Sequence, residues 1–410
     1  MRVLYVCGRN PWSLRGGALI RNYWLVRALA ERHEVELVTA DAAGEPVPPE
    51  FAGLLRGLHR FGRPSGLSGK LARIAGALRP SASYYVSGLV GRSMRQAVRE
   101  RSQSCDIAVI DVQLRDALLG VDIPYVYNAH NCEAELVRRR AAIACEPART
   151  LLNVEARRLA TIEAHCVRHA LLVAACSDAD RTDLLRLAPQ AADRAVVVPN
   201  GVDAAHYAGV RDTVGTAGTI LVTGSFDWQP NRAGLEWLLA RVVPALRARL
   251  GAQPWTIRVA GRMDAALATA LAAVPGIEVS ANPPDMRVEL SRAQIVCAPV
   301  LASSGTRLRI LEAWAAGRPV LTTPDGAFGL DAVDGREAAI AADPEAFAQR
   351  AADLIRDPAL RARIRRAALE RVPAFEWRTI GSRFLGELSA RTPATAQRVR
   401  GLHAARAARG

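Results

Sequence analysis

The sequence has no uninterrupted apolar run near the roughly 18 residues that a transmembrane helix requires. Its first residues, MRVLYVCGRNP, contain an apolar core that is too short for a secretory signal peptide. We therefore expect no membrane-spanning helix and interpret these residues as a first β-strand. A cytoplasmic location is the simplest expectation.

Closely spaced cysteines are also lacking. The seven cysteines are scattered, and none belongs to a Cys-x-x-Cys pair. An odd number without close pairs argues against a disulfide framework and against a structural zinc site. The pattern favours a reduced protein, and we expect neither a metal site nor a cofactor.

Lysine is almost absent, since Lys70 is the only one among 54 basic residues, which face 40 acidic ones. The net charge of +14 raises the question of an anionic partner, either a nucleic acid or an anionic membrane. Arginine together with abundant alanine is typical of a GC-rich coding sequence, so the arginine preference itself does not indicate phosphate binding. A generally basic surface and an anionic partner remain equally open.

The length of 410 residues suggests two to three domains. A strand over 3–7, a helix over 18–31 and a strand over 34–39 open the chain as a doubly wound α/β unit. The pattern restarts with a strand over 219–223. The sequence therefore predicts two Rossmann-like halves. Further strands are expected at 106–111, 124–128, 170–176, 196–198 and 257–260 and near 277, 295, 320 and 338.

Three predicted segments divide the chain. The first domain covers residues 1–203 and is closed by a C-terminal helix over 376–390, and the second covers 204–375. Residues 391–410 contain five arginines and no acids, so we predict a disordered tail. We also expect one strongly helical stretch over 133–169, a linker over 204–218, and a helix over 231–250 with a kink at Pro244.

The stretch 295–319 has the clearest functional pattern. The apolar run 295–298 predicts a buried strand, residues 302–306 form a loop of small residues, and 307–316 have helical spacing. Gly317 ends the helix and Pro319 prevents its continuation. The apolar helix positions are Leu308, Ile310, Leu311, Trp314 and Ala315.

A helix that begins after a strand and a glycine turn directs free N–H groups towards the carboxyl edge of the sheet. A diphosphate can bind there. Glu312, about a turn and a half into the helix, can accept hydrogen bonds from a pair of sugar hydroxyls, and Arg307 and Arg309 add positive charge. The alternative is a plain βαβ unit with a solvated charged face, and spacing alone favours that alternative.

Two positions in the first half are further candidates. Gly16 and Gly17 at the start of the first helix allow a ligand to approach the backbone closely, although a tight turn without function is an equal alternative. His130 follows the predicted strand 124–128 and therefore lies at a carboxyl end, where open α/β sheets bind ligands. It can bond a sugar hydroxyl or move a proton near neutral pH, whereas a structural histidine is the commoner case.

Basic residues also cluster at 56–73, namely Arg56, Arg60, Arg63, Lys70 and Arg73. This patch can contact a lipid surface, and a solvated helix face is the more common outcome.

With these residues in view, the chain resembles the family-four glycosyltransferases of the GT-B fold, two Rossmann-like domains facing across a cleft. The resemblance extends over nearly the whole length and depends on the order and spacing of its parts. The matching segments are 16–17, 130–133, 177–180, 199–203, 224–231, 311–320 and 375–377.

The resemblance implies a retaining, metal-independent glycosyltransferase of the hexosyltransferase type (EC 2.4). It would take a UDP-, GDP- or dTDP-sugar in the second domain and an unknown acceptor, for polysaccharide, glycolipid or secondary-metabolite synthesis, on the first. Glu312 matches the carboxylate that binds the donor ribose, and His130 matches a catalytic histidine facing the transferred sugar. The other implied donor-binding residues are Gly16, Gly17, Gly224, Arg262, Ser304, Gly305, Thr306, Arg307 and Arg309.

Two departures from the family pattern matter. Ser304 stands where the family often has the first of two glutamates. The loop after strand 219–223 carries Ser225 and Asn231, with Arg232 adjacent, where an Arg and a Lys are frequent. We hypothesise that Arg307, Arg309 or Arg262 supplies the missing charge.

Two other functions stay open at this point. One is a nucleotide-sugar epimerase on the same fold. The other is a non-catalytic GT-B protein that binds sugar nucleotides or nucleic acid, which Ser304 and the net charge make plausible. We expect a nucleotide-sugar partner, leave peripheral contact with an anionic membrane open, and do not expect nucleic acid.

Overall fold

The computed structural model describes residues 1–14, 16–41, 45–62, 66–77, 83–87, 89–301 and 306–392. The chain divides into two compact units. Unit 1 comprises Met1–Pro199 and the residues from Ile380 onward, and unit 2 comprises Asn200–Thr379. In the described ranges, no helix has the length and apolar character needed to cross a membrane.

Unit 1 is built on a parallel sheet. Its strands are β1 Arg2–Cys7, β2 Glu34–Thr39, β3 Gly57–Arg60, β4 Ile107–Ile110, β5 Tyr125–Asn128, β6 Leu172–Ala175 and β7 Ala195–Val197. They lie in the order β3-β2-β1-β4-β5-β6-β7 and all pair in parallel. The order in which successive strands are added to the sheet therefore reverses between β1 and β4. Such a switch point forms a crevice at the carboxyl edge of the sheet.

Unit 2 repeats this plan with its own sheet. Its strands are β8 Thr219–Ser225, β9 Thr256–Arg262, β10 Ile277–Ala281, β11 Ile295–Ala298, β12 Val320–Thr322 and β13 Ala339–Ile340. Their order is β10-β9-β8-β11-β12-β13, again parallel. The switch point lies between β8 and β11. The predicted fold class, two Rossmann-like α/β halves, is confirmed at the level of each unit.

Helices cover both faces of each sheet. In unit 1 they are α1 Gly17–Ala30, α2 Pro49–Ala52, α3 Gly66–Ala77, α4 Arg92–Ser102, α5 Glu133–Ile143, α6 Ala148–His169 and α7 Asp178–Leu187. In unit 2 they are α8 Ala208–Arg211, α9 Gln229–Trp237, α10 Val243–Leu250, α11 Ala265–Ala272, α12 Met286–Arg292, α13 Leu308–Ala315, α14 Pro324–Ala327, α15 Pro344–Arg356 and α16 Pro358–Arg371. The last helix, α17 Trp377–Arg391, begins in unit 2 and belongs to unit 1 from Ile380.

The central strands are largely apolar because helices cover both faces of each sheet. Val3, Leu4, Tyr5 and Val6 of β1 are at most 1% exposed, as expected for parallel strands that have no solvent face. In unit 2, Trp314 of α13 is completely buried and its ring lies 6.2 Å from that of Phe375. The helix with the functional pattern is thus anchored by its largest side chain.

One sequence-based expectation was wrong. The predicted linker 204–218 instead begins with a 3-10 turn, Ala204–Tyr207, followed by α8, and its apolar side chains pack under α13. The stretch 133–169 is helical as predicted, and it forms two helices, α5 and α6, with Pro147 between them. Strand β3 was not predicted at all, since its four residues are only half-buried.

The interruption expected near Pro244 is present. A π-helical segment, Leu238–Val242, separates α9 from α10, and Pro244 lies in the first turn of α10, where its missing N–H costs little. The expected disordered tail falls outside the described residues from 393 onward, whereas Arg391 itself ends α17.

A buried arginine ties the former linker region to the rest of unit 2. Arg318 donates to the carbonyl oxygens of Leu290 at 2.9 Å, Thr213 at 2.9 Å and Val210 at 3.1 Å. It is 6% exposed. Removing the guanidinium takes away a charged hydrogen bond from each of these three carbonyls, of which those of Leu290 and Val210 keep the bonds donated by the N–H groups of Ala293 and Thr213.

We expect Arg318→Met to lower the free energy of unfolding by about 2–4 kcal/mol, since charged hydrogen bonds to several buried carbonyls are lost. Calorimetry and denaturant titration of the full chain measure the change. Arg363→Met, at an exposed position on α16, is the control and should change the same quantity by about 0.5 kcal/mol or less. Equal effects of the two substitutions would contradict this role of Arg318.

Candidate active site

The switch point of unit 2 places two loops side by side. One leads from β8 to α9 and the other from β11 to α13, and both leave the carboxyl edge of the sheet. Of the donor-binding residues predicted from the sequence, Thr306 and Arg307 lie in the second loop, Gly224 lies near the end of β8, and Arg309 and Glu312 lie in α13. Ser304 and Gly305 lie outside the described residues.

Arg309 holds these two loops together. Its Nη1 donates to the Thr223 carbonyl oxygen at 2.9 Å, and its Nη2 donates to the Asn231 amide oxygen. A Cβ added at Gly224 would lie 3.3 Å from both Arg309 Nη1 and Asn231 Nδ2, so the glycine makes room for this contact. Burial lowers the pKa of Arg309 to about 10, with the nearby Glu312 carboxylate acting in the opposite direction. The guanidinium therefore stays charged at neutral pH.

Glu312 lies one turn further along α13 and is half-buried. Burial raises the pKa of its carboxyl group, while a hydrogen bond from Tyr207 and the charge of Arg309 act to lower it. The Tyr207 side chain is 9% exposed, and its own pKa is raised by burial and then by the Glu312 charge. Tyr207 thus orients one acceptor of a carboxylate that has further lone pairs available. Sequence analysis missed it because it falls in the stretch interpreted as a linker.

The loop that precedes α13 is held from the start of unit 2. The backbone N–H of Asn200 donates to the Thr306 hydroxyl at 3.0 Å, and the Asn200 amide donates to the Thr306 carbonyl oxygen at 3.3 Å. Both residues are buried. The segment 199–203, which matches the family pattern, therefore serves to position the loop.

The other predicted cations of unit 2 differ in their surroundings. Arg307 is the N-cap residue of α13 and is 9% exposed. Arg262, at the end of β9, pairs with Asp227 at 2.7 Å, and both side chains are about half exposed. Arg232 pairs with Glu236 on the surface of α9 at 3.3 Å. Arg262 and Arg232 are therefore near the edge of the sheet but engaged in exposed ion pairs that solvent weakens.

In unit 1, Gly16 and Gly17 begin α1. Gly16 is its N-cap, with φ of 114°, and a Cβ added there would meet no atom within 4 Å. The glycine is needed for its backbone conformation rather than for space. Both residues are exposed, so the N-terminus of this 14-residue helix is accessible to an anion.

A buried polar network that sequence analysis missed fixes the first turns of α1. Arg21 is completely buried and donates from Nε to Asn128 at 2.7 Å and from Nη1 to the Val198 carbonyl oxygen at 2.6 Å. Asn22 accepts from the Tyr5 hydroxyl at 2.8 Å and from Asn128 at 3.0 Å. The network joins α1 to the carboxyl ends of β1, β5 and β7.

His130 follows β5 directly, as predicted. Its Nε2 lies 3.7 Å from Asp111 Oδ2, at the end of β4. Within the described part of the chain, neither ring nitrogen has a hydrogen-bond partner, although both are shielded from solvent. The imidazole therefore has unused bonding capacity next to a carboxylate, which suits a group that bonds or exchanges a proton with a bound molecule.

The surroundings of His130 are acidic. Burial raises the pKa of the nearby Glu133 carboxyl group, which accepts a hydrogen bond from Asn131 at 3.0 Å. Among the residues that the structure describes, no group of three or more His, Cys, Asp or Glu side chains has the geometry to hold a metal ion.

Two family models match the chain. The one described as Glycosyltransferase Family 4 matches residues 15–206, and the one described as Glycosyl transferases group 1 matches residues 217–357. Together the two ranges span most of the sequence and include the main loops described above. The chain belongs to the family 4, group 1 glycosyltransferases, as its sequence motifs predicted.

One relative of stated activity matches a part of the chain. D-inositol 3-phosphate glycosyltransferase of Streptomyces avermitilis is 38% identical over 95 residues, which are 23% of this chain and 20% of that protein. The match thus spans about a fifth of the length of that relative.

Solved structures show the same fold over nearly the whole chain. HepE of Anabaena, crystallised with UDP and glucose, has a TM-score of 0.63 at 17% identity and covers 95% of this chain and 100% of its own. Sucrose-phosphate synthase of Thermosynechococcus elongatus has a TM-score of 0.67 at 15% identity and covers 96% and 100%. Both support the GT-B fold expected from the sequence.

The contact between Tyr207 and Glu312 gives a direct prediction. Tyr207→Phe removes the hydrogen bond that lowers the pKa of Glu312, so this pKa should rise further above its ordinary value. The titration can be followed by NMR of carboxyl-labelled glutamate, with Glu312→Gln to assign the resonance. Tyr84→Phe, at an exposed site in unit 1, should leave the titration unchanged. An unchanged or lower pKa in Tyr207→Phe would show that the hydroxyl does not bond Glu312.

Proposed function

We propose that this glycosyltransferase moves a sugar from a nucleotide-sugar donor to an acceptor hydroxyl, with retention of configuration at the anomeric carbon and without a metal ion. The observation that carries the proposal is the pair of half-buried side chains Glu312 and Arg309 at the switch point of unit 2. Family membership supplies the reaction type. HepE, a structural neighbour, has been crystallised with UDP and with UDP-glucose, which supports a nucleotide-sugar donor here.

The proposed donor site lies in unit 2. The Glu312 carboxylate accepts hydrogen bonds from the two ribose hydroxyls, which are paired donors suited to a carboxylate. The diphosphate is placed at the N-terminus of α13, where Thr306 and Arg307 precede the helix. Arg307, Arg309 and Arg262 are the cations proposed to offset the charge that develops on the leaving diphosphate. In this arrangement Arg309 contributes its charge without contacting the diphosphate, because its guanidinium already bonds Thr223 and Asn231.

Unit 1 is proposed to supply the acceptor side and His130. The imidazole bonds a hydroxyl of the transferred sugar, and Asp111, 3.7 Å from Nε2, orients the ring. The open N-terminus of α1, at Gly16 and Gly17, is proposed to contribute N–H groups to the donor phosphates.

The donor hypothesis predicts the effect of one substitution. Glu312→Gln should weaken donor binding about ten- to a hundredfold, because a hydrogen bond to a charged group contributes about 1.5–3 kcal/mol. Calorimetric titration with UDP-, GDP- and dTDP-sugars measures this and identifies the nucleotide. Glu345→Gln, on the exposed start of α15, is the matched control and should bind donor as the unchanged protein does.

Product analysis distinguishes transfer from the other activities of this fold. Release of free nucleotide only in the presence of acceptor, with retained anomeric configuration by NMR, supports the proposal. Conversion of donor without acceptor would establish an epimerase instead. Donor binding without either reaction would make the protein a sugar-nucleotide binding protein.

A peripheral membrane contact is proposed for α3. Leu67, Leu71 and Ile74 are 74%, 57% and 51% exposed, and their spacing places them on one helix face. Lys70 and Arg73 lie on the same helix. An exposed apolar face beside basic residues suits a helix that lies in the interface of an anionic bilayer. The proposed location is the cytoplasmic face of that membrane.

The basic cluster expected at 56–73 is smaller than predicted. Arg56 pairs with Glu34, and Arg60 donates to the Asp41 carbonyl oxygen at 3.3 Å and lies over the Trp12 ring. Arg63 lies outside the described residues. The apolar positions of α3 therefore carry the proposal, with Lys70 and Arg73 adding charge.

Charge substitution on this face tests the contact. Leu67→Glu with Leu71→Glu should abolish co-sedimentation with phosphatidylglycerol vesicles, because burying two carboxylates in the interface opposes insertion. Val214→Glu, at a position in unit 2 that is 94% exposed, should bind vesicles as the unchanged protein does. Failure of the unchanged protein to bind anionic vesicles would remove the proposal.

A further inference from the structure

A buried glutamate outside the proposed site holds the loop that carries His130. Glu163, on the 22-residue helix α6, is completely buried. Its carboxylate accepts from the backbone N–H of Glu133 at 2.9 Å, from the N–H of Ala134 at 2.7 Å and from the Tyr127 hydroxyl at 3.0 Å. The Cys132 thiol lies 3.8 Å from the same carboxylate. The buried carboxylate of Glu163 therefore caps the N-terminus of α5.

The capped turn begins three residues after His130. The first N–H groups of a helix have no partner within the helix and carry its positive dipole end, so a carboxylate placed there is stabilising. By occupying this end, Glu163 makes the α5 N-terminus unavailable to a ligand anion.

Two further backbone hydrogen bonds fix the segment that contains His130. The Ala129 N–H donates to the Ala174 carbonyl oxygen at 3.1 Å, and the Cys132 N–H donates to Asp180 at 3.4 Å. His130 lies between these two anchored residues, and its ring nitrogens are without hydrogen-bond partners in the described ranges. The backbone of the loop is therefore fixed while the imidazole is left for another molecule.

We propose that Glu163 is a positioning residue for the transfer reaction, which fixes the backbone from Ala129 to Ala134 and thereby aims the His130 ring. This inference rests on the role proposed above for His130. Glu163 touches neither the ring nor any proposed ligand position, so its effect is expected on turnover rather than on donor binding.

The protonation state of Glu163 links this role to pH. Burial raises the pKa of its carboxyl group to about 7, while the N–H bonds from Ala134 and Glu133 and the Tyr127 hydroxyl act to lower it. Protonation weakens the bonds that Glu133 and Ala134 donate, so the cap loosens as the pH falls below about 7. The titratable groups that interact with this carboxyl group are Tyr127, Cys132, Glu133 and Cys166. Asp180 of α7 lies next to them and accepts the Cys132 N–H.

Three of these neighbours do not titrate near neutrality, whereas burial also raises the pKa of Glu133, whose charge in turn raises that of Glu163. Burial raises the pKa values of Tyr127, Cys132 and Cys166, so all three stay neutral at pH 6–8. The stability of the whole protein depends on pH in the opposite direction to the strength of the cap. The folded protein binds the Glu163 proton more tightly than the unfolded chain, so this group's contribution to stability is present at low pH and is lost as the pH rises towards 7. The ionised cap is therefore kept at a cost in stability.

The test compares two buried glutamates on the same helix. Glu163→Gln leaves a single carbonyl oxygen to accept two N–H groups. Glu155→Gln alters a carboxylate that is also buried, but that bonds Ser83 and the Tyr85 N–H instead. We expect Glu163→Gln to lower kcat about tenfold or more with a donor KM within about twofold, since a small displacement of a reacting group is enough for such a loss. Glu155→Gln should leave both constants within about twofold of the unchanged protein.

Hydrogen exchange gives a readout that does not depend on activity. At pH 8 the amides of Glu133 and Ala134 should exchange faster in Glu163→Gln than in the unchanged protein or in Glu155→Gln. In the unchanged protein their protection should fall between pH 8 and pH 6 after correction for intrinsic rates, and kcat should fall over the same range. Glu163→Asp should restore part of the protection and of kcat.

The outcomes separate this inference from the proposed function. Equal kcat losses in Glu163→Gln and Glu155→Gln, or unchanged exchange at Glu133 and Ala134, would overturn the positioning role. Absence of acceptor-dependent nucleotide release in the unchanged protein would instead overturn the proposed function, whatever the exchange data show. If Glu163→Gln does not fold, Glu163→Asp and the pH dependence of the unchanged protein decide the question.

Discussion

Both sheets are wholly parallel in the described structure, and this constraint determines where chemistry can occur. Parallel strands bring all their carboxyl ends to one edge, and the reversal of strand order opens that edge between β1 and β4 in unit 1 and between β8 and β11 in unit 2. Polar residues that are far apart in sequence therefore meet there. Asp111 reaches His130 in one unit, and Arg309 reaches Thr223 and Asn231 in the other.

Charged side chains that are wholly or partly buried fix the backbone at these edges. Arg21 in unit 1 and Arg309 in unit 2 each bond backbone carbonyl oxygens near strand ends, and Glu163 caps the helix behind His130. Burying a charge is unfavourable unless it is well bonded, and the pKa of Glu163 is raised and that of Arg309 lowered accordingly. The sites are thus positioned by interactions that contribute more to local order than to overall stability.

Much of the fold could be predicted because hydrophobic periodicity and turn residues are local signals. Strands β2 and β11 were predicted at their observed bounds. The failures have a physical cause as well. The stretch 204–218 has the composition of a loop, and its packing under α13 depends on Arg318, which lies 105 residues away from Thr213. The short, half-buried β3 has no clear period of its own.

The positions of Gly16 and Gly17 at a helix start, of His130 after a strand and of Glu312 within α13 follow from sequence alone, because local patterns determine which loops leave which elements. The family assignment also follows from the order of the motifs. Only the tertiary structure decided that Tyr207 bonds Glu312, that Asp111 lies beside His130 and that Glu163 caps α5 from 30 residues away. Such contacts depend on strand order and helix packing, and a short stretch of sequence shows neither.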